Sequence, residues 1–279
     1  MKLSIITICL NNREELQRTL SSVTGQTCND YEYIVVDGGS TDGCRELIAS
    51  TPRIDRWVSE PDTGIYNAMN KGVRMAGGDY VLFLNSGDTL HDKEVLEKII
   101  PRLGDADFYA GHYLTDRGGK TRRLCSPRRL SAKFLLEGAL MHQATFTRTA
   151  LLRATPYDES LRIVADWAFL LKQWLMRGST YEMLDVVVSV FAMDGVSTNK
   201  KSVIQRDAER RKVMERLLPE RIRETLLQRD APAYDEYVEQ NIHRAMAMPP
   251  VRRDLKLLRN AVKFLVRDLC SRGRRADKS

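Results

Sequence analysis

"GIYNAMNKGVRMAGGDYVLFLNSGD", Gly64 to Asp88, decides the fold class. Helical spacing runs from Gly64 to Ala76, a Gly77-Gly78 break follows, and Tyr80–Leu84 (YVLFL) is apolar throughout. A strand with no polar alternation is one buried on both faces, as in a parallel sheet covered by helices. It stops at Asn85-Ser86-Gly87-Asp88, a polar turn.

The same unit recurs upstream. Leu3–Cys9 (LSIITIC) reads as a buried strand, and residues 12–23 as a helix with Leu16, Leu20 and Val23 on one face, capped by Asn11 or Asn12. Tyr33–Val36 is a second strand ending in Asp37-Gly38-Gly39-Ser40-Thr41-Asp42-Gly43. A helix over 44–50 and a short strand over 54–58 lead to Gly64. The β-α-β-α-β-α-β rhythm predicts an α/β fold, a mostly parallel sheet flanked by helices. Ligands of such sheets bind beyond the carboxyl ends of the strands, where Asn11, Asp37 to Asp42, Glu60 to Tyr66 and Asn85 to Asp88 should converge. Strands near 107–113, 143–148 and 181–192 and a helix near 165–176 follow. From Lys200 the chain reads as helical and charged, so a domain over 1–199 and a helical extension over 200–279 are expected.

Charge narrows the function. The net charge of +7 lies in residues 251–279, with ten Lys and Arg against three Asp; residues 1–250 hold 34 of each sign. A neutral body argues against nucleic-acid binding. Val251, Leu255, Leu258, Val262, Leu265 and Leu269 form an apolar stripe flanked by Arg252, Lys256, Arg259 and Lys263. Such a helix suits an anionic membrane surface; the rival is a helix packed on the body or on a second copy in a homo-oligomer. No apolar run is long enough to span a bilayer. The first residues read as a strand, not a signal peptide, and five scattered cysteines suggest reduced thiols, so a cytoplasmic location is expected.

Two motifs carry chemistry. Asp88, delivered by an apolar strand, can bind a divalent cation that holds a diphosphate, although an aspartate in a turn is common on its own. "VVDGGSTDG" places Asp37 where a carboxylate can accept from a base or ribose. It does not match the dinucleotide fingerprint, and no P-loop lysine follows. Thr41 and Asp42 read better as helix caps.

"SIITICLNN", "VVDGGSTDG", the Glu60–Asp88 stretch and "VADW" together resemble the family 2 nucleotide-sugar glycosyltransferases of the GT-A fold, over about residues 3–195. The likeness is greatest to the bacterial group that makes colanic-acid-like exopolysaccharides. It implies a nucleotide pocket at Thr7, Leu10, Asn11 and Asp37, and a donor wrap at Asp62, Gly64, Asn70, Asn85 and Ser86. It implies Asp88 as metal ligand, although only the last carboxylate of the family's metal motif remains here. Asp166 matches the family's acceptor-side carboxylate, with Ala165 in place of glutamate, and is implied as general base. His142 borders donor or acceptor, or is structural. The implied activity is inverting transfer from a UDP-sugar, with Mn²⁺ or Mg²⁺, to a glycan or lipid-linked acceptor at the inner face of the cytoplasmic membrane. A sugar-nucleotide pyrophosphorylase would need a Gly-rich basic loop after the first strand, which "CLNNREEL" lacks. The alternative is a non-catalytic sugar-nucleotide binder with a degenerate metal site.

Overall fold

A computed structural model describes residues 2–192 and 200–218. The stripe expected over 251–269 and the end of the expected first domain, 193–199, lie outside the described residues. The chain groups into two compact units. The first holds residues 2–129, 140–169, 179–192 and 200–209; the second holds 130–139, 170–178 and 210–218 of the described chain.

The first unit is built on one mixed sheet, of nine strands among the described residues. β1 (Leu3–Cys9), β2 (Tyr31–Asp37), β3 (Arg56–Ser59) and β4 (Tyr80–Phe83) run parallel, with β1 between β2 and β4. Between them lie α1 (Arg13–Thr24), α2 (Cys44–Ala49) and α3 (Ile65–Met75). Every residue of β1, β2 and β4 is buried, which is why these segments carry no polar alternation. Leu16, Thr19, Leu20 and Val23 of α1 turn to that core at helical spacing.

The second half is mixed, with antiparallel as well as parallel pairings. β5 (Thr89–Leu90) and α4 (Val95–Ile99) lead to β6 (Phe108–Arg117), which forms a hairpin with β7 (Lys120–Leu124). β8 (Thr145–Arg148) lies antiparallel between β4 and β6; α6 (Thr149–Ala154) follows it. β9 (Tyr181–Ala192) runs parallel to β6. Two antiparallel steps restore direction, so β6 and β9 end at the same sheet edge as β1, β2 and β4. That edge gathers residues 9–11, 37–40, 84–88 and 192.

The second unit holds α5 (Ala132–Glu137), capped by Ser131 accepting from the Phe134 N–H at 3.0 Å, and the later residues of α7 (Ala165–Arg177) and α8 (Lys200–Leu217). Arg210 donates to the Gly138 carbonyl at 2.7 Å.

Candidate active site

The loop after β4 is fixed by backbone geometry. The Ser86 N–H donates to the Ile8 carbonyl at 3.1 Å, extending the β4–β1 pairing one step past the strands. Gly87 then turns at φ 103°, a left-handed value that glycine adopts without strain. Thr19 of α1 staples the loop: its hydroxyl donates to the Asp88 carbonyl at 2.7 Å and accepts from the Gly87 N–H at 3.0 Å. Asp88 is thereby held inward and 6% exposed. Among the described residues its carboxylate receives one long bond, from the Ala192 N–H at 3.4 Å. Burial pushes its pKa up to about 7, against the opposing charge of His142 and the Ala192 N–H. Beside it the Asn85 Oδ1 and Ser86 Oγ are buried and, among the described residues, have no hydrogen-bond partner. An under-partnered carboxylate flanked by orphaned oxygens is a surface that a cation or a hydroxyl-rich ligand would complete.

His142 ties this loop to Asp166. Its Nδ1 lies 3.0 Å from Asp166 Oδ2 and its Nε2 lies 3.0 Å from Asn85 Nδ2. A carboxylate only accepts, so Nδ1 carries a proton; when the ring is neutral, Nε2 accepts from the amide. Asp166 Oδ1 receives the Tyr66 hydroxyl at 3.0 Å and the Trp167 N–H at 2.8 Å. With Oδ2 taking one bond from His142, one acceptor position on Oδ2 is left over among the described residues. Burial would raise the Asp166 carboxyl; the hydrogen bond and charge of His142, with Trp167 and Tyr66, outweigh it and hold it below the ordinary value. Burial would likewise lower His142, but Asp166 and Asp88 raise it. Two aspartates from opposite halves of the fold thus act on one imidazole.

The remaining expected residues divide by accessibility. Leu10 is 53% exposed at the end of β1, and Asn11, at φ 49°, accepts the Thr41 N–H on Oδ1 at 2.9 Å while its own N–H donates to Ser40 Oγ at 2.8 Å. Thr7 and Asp37 have no exposed surface. Thr7 donates to the Leu84 carbonyl at 2.8 Å, and Asp37 accepts from the Ser40 N–H at 3.0 Å, the Ser40 hydroxyl, and the Ser59 hydroxyl at 2.6 Å. Both side chains hold strand ends in place and present no free face. Asp62 accepts the Gly64 N–H at 2.8 Å, and a Cβ on Gly64 would come within 2.9 Å of the Arg162 guanidinium. Asn70 is buried as a brace: it donates to the Tyr157 carbonyl at 3.0 Å and to Glu159 at 2.8 Å, and accepts the Tyr157 N–H at 3.0 Å. Lys71 is spent on Glu60, at 2.8 Å, and the Pro61 carbonyl. Asn85, Ser86, Asp88, His142 and Asp166 come together. Tyr66, at the end of the Glu60 to Tyr66 cluster expected at this edge, joins them through Asp166, and Thr19 joins them unforeseen.

Whether these residues suit a divalent cation turns on Asp88. Among the described residues no three His, Cys, Asp or Glu cluster as a metal cage. One carboxylate that burial leaves under-partnered fits the mode in which a hard cation takes one protein carboxylate and completes its shell with water and substrate phosphates.

The profile described as Glycosyl transferase family 2 matches residues 4–164. The chain belongs to this family. The PGL/p-HBAD biosynthesis glycosyltransferase of Mycobacterium bovis is 31% identical over 208 residues, 70% of this chain and 78% of that protein. In fold it is similar to the S. aureus TarS 1-349 structure in complex with UDP-GlcNAc, with a TM-score of 0.63 at 18% identity, covering 91% of this chain and 78% of that one. The mannosyltransferase PcManGT from Pyrobaculum calidifontis, in complex with GDP-Man and Mn²⁺, gives 0.61 at 16% identity, covering 96% and 79%. The chain is thus a GT-A-type family 2 glycosyltransferase, its sheet mixed and flanked by helices.

Proposed function

We propose that this glycosyltransferase moves a sugar from a nucleotide-diphospho-sugar, a UDP-sugar, to a hydroxyl of a glycan or lipid-linked acceptor, inverting the anomeric centre. The observation that carries the reading is the convergence of Asp88, His142 and Asp166 at the carboxyl edge of the sheet. The UDP-GlcNAc bound by TarS supports a uridine donor over a guanosine one, and GDP-Man with PcManGT is the competitor.

Asp166 acts as general base. Its open Oδ2 position takes the acceptor proton as that oxygen attacks the anomeric carbon; the bond from that carbon to the diphosphate breaks, and the nucleoside diphosphate leaves. Tyr66 and the Trp167 N–H fix the carboxylate plane, and His142 aims Oδ2. Asn85 and Ser86 meet donor hydroxyls, while Leu10, Asn11, Asp62 and Gly64 line the nucleotide end. A divalent cation, Mn²⁺ or Mg²⁺, held by Asp88 would neutralise charge developing on the departing diphosphate.

The role follows the family resemblance: surface polysaccharide assembly of the exopolysaccharide kind, on the inner face of a bacterial cytoplasmic membrane, with the basic tail from Val251 as a peripheral anchor. No described helix is long and apolar enough to cross a membrane. Thermal-shift titration with UDP-, GDP- and dTDP-sugars, with and without Mn²⁺, tests the donor. A metal-dependent rise with UDP-sugars alone is expected; a response to GDP-sugars alone overturns the uridine assignment, and no response to any donor overturns the function.

A further inference from the structure

The β6–β7 hairpin is an unclaimed feature of the first unit. Residues 117–129 hold Arg117, Lys120, Arg122, Arg123, Arg128 and Arg129 and no acidic residue; the rest of residues 1–250 has 28 Lys and Arg against 34 Asp and Glu. The basic residues of the otherwise neutral body are thus concentrated in this stretch of the sequence, four of the six within the hairpin.

The topology aims that projection. β4 and β6 are level across β8, because Val81 and Phe108 both pair with Thr147. Beyond Ala110, the last β6 residue paired with β8, β6 continues for seven residues, roughly 20 Å of extended chain, flanked by β7 and β9. The ribbon thus rises from the sheet edge that bears the candidate site. Asp116, one residue before the basic tip, pairs with Ala192, whose N–H reaches Asp88.

The pairing register also sorts the charges. Gly118 and Gly119, at φ 60° and 81°, make a two-residue turn that sets Arg117 opposite Lys120 and Thr115 opposite Arg122. Arg117, Lys120 and Arg122 therefore share one face of the ribbon. Like charges directly opposed weaken a hairpin, and these three form no ion pair among the described residues. On the other face Arg123 lies 3.6 Å from Asp185. Strand β7 is exposed except at Leu124, and its tip has no apolar side chain to insert. The cations line a ribbon open to water, so they suit an extended anionic surface better than a single phosphate.

We propose that the Arg117–Lys120–Arg122 face is a docking surface for anionic phospholipid headgroups, which turns the site edge toward the membrane that carries the acceptor. This deepens the proposed function and rests on it only for the identity of what lies at that surface. Charge contact of this kind changes partitioning about fivefold per cation, so roughly 10² for three.

The test is vesicle sedimentation of the full chain, without donor, on phosphatidylcholine with and without phosphatidylglycerol, at low and high salt. The triple variant Arg117→Gln, Lys120→Gln, Arg122→Gln is compared with a charge-matched control, Arg45→Gln, Lys93→Gln, Arg102→Gln. Circular dichroism and UDP-sugar thermal shift confirm that each variant is folded and whether the proposed function stands independently. Loss of roughly 10² in binding to phosphatidylglycerol vesicles by the hairpin variant alone is expected. Binding equal to wild type, or an equal loss in the control, overturns the proposal. Retained vesicle binding with lost binding to a soluble polyanion such as heparin also overturns it and assigns the face to an anionic polymer.

Discussion

Asp88→Asn is expected to stabilise the ligand-free protein at pH 8 while removing its function. Asp88 is 6% exposed and its pKa is raised from 3.8 to about 7, chiefly by burial. Between those values the folded chain holds a proton that the unfolded chain has lost, so stability falls as pH rises from about 4 to about 7 and levels off above. At ~1.4 kcal/mol per unit, three units set a ceiling of about 4 kcal/mol, and relaxation leaves about 2 to 4. His142 is also raised, so its stabilisation is likewise lost as pH rises through its folded value. The variant should therefore keep a shallower slope of the same sign. Melting curves at pH 4.5 and 8, with chelator, read the effect. For a chain of this size the variant should melt about 5–10 °C above wild type at pH 8 and nearly with it at pH 4.5. Added Mn²⁺ should raise wild type at pH 8 and leave the variant unmoved. A variant less stable than wild type at pH 8, or one with the full wild-type slope, refutes the reasoning.

Three further outcomes are expected. Asp166→Asn should lower turnover by about 10² or more with donor affinity unchanged, measured by steady-state kinetics and isothermal titration; collapse of donor affinity with turnover preserved contradicts the assignment. His142→Gln, which cannot carry charge, should lower kcat more than it raises KM and shift the acidic limb of the pH–rate profile upward, because Asp166 loses the partner that holds its carboxyl low; an unmoved limb reduces His142 to packing. Gly72→Ala should cost about 1–3 kcal/mol in urea denaturation, since its Cβ would come within 2.5 Å of Ile6 Cγ2 and force α3 off β1; a neutral result refutes the close packing.

The first half of the fold is legible because its strands are buried on both faces: Leu3–Cys9 reads directly as β1, and the α3–β4 unit lies within two residues of its expected bounds. The β7 strand, KTRRL, escapes notice because a ribbon open to water needs no apolar alternation, and β6 runs four residues past its expected end for the same reason. At the site, Asp88 and Asp166 stand out as carboxylates at a strand end and a helix start. Their connection through His142 does not, since a histidine before a strand carries no sign of its partners. Asp37 and Thr7 look like ligand contacts in one dimension because polar residues at strand ends usually face water. In the fold, the Ser40 and Ser59 hydroxyls and the Leu84 carbonyl take up their hydrogen bonds.

The most direct test of the proposed chemistry is nucleoside diphosphate release from a panel of UDP-, GDP- and dTDP-sugars, with lipid-extract acceptor, by wild type, Asp88→Asn and Asp166→Asn. The expected result is release by wild type from a UDP-sugar, loss of roughly 10² or more in both variants, and wild-type donor affinity in Asp166→Asn. Donor binding without release by wild type across the whole panel, or release undiminished in both variants, would contradict it.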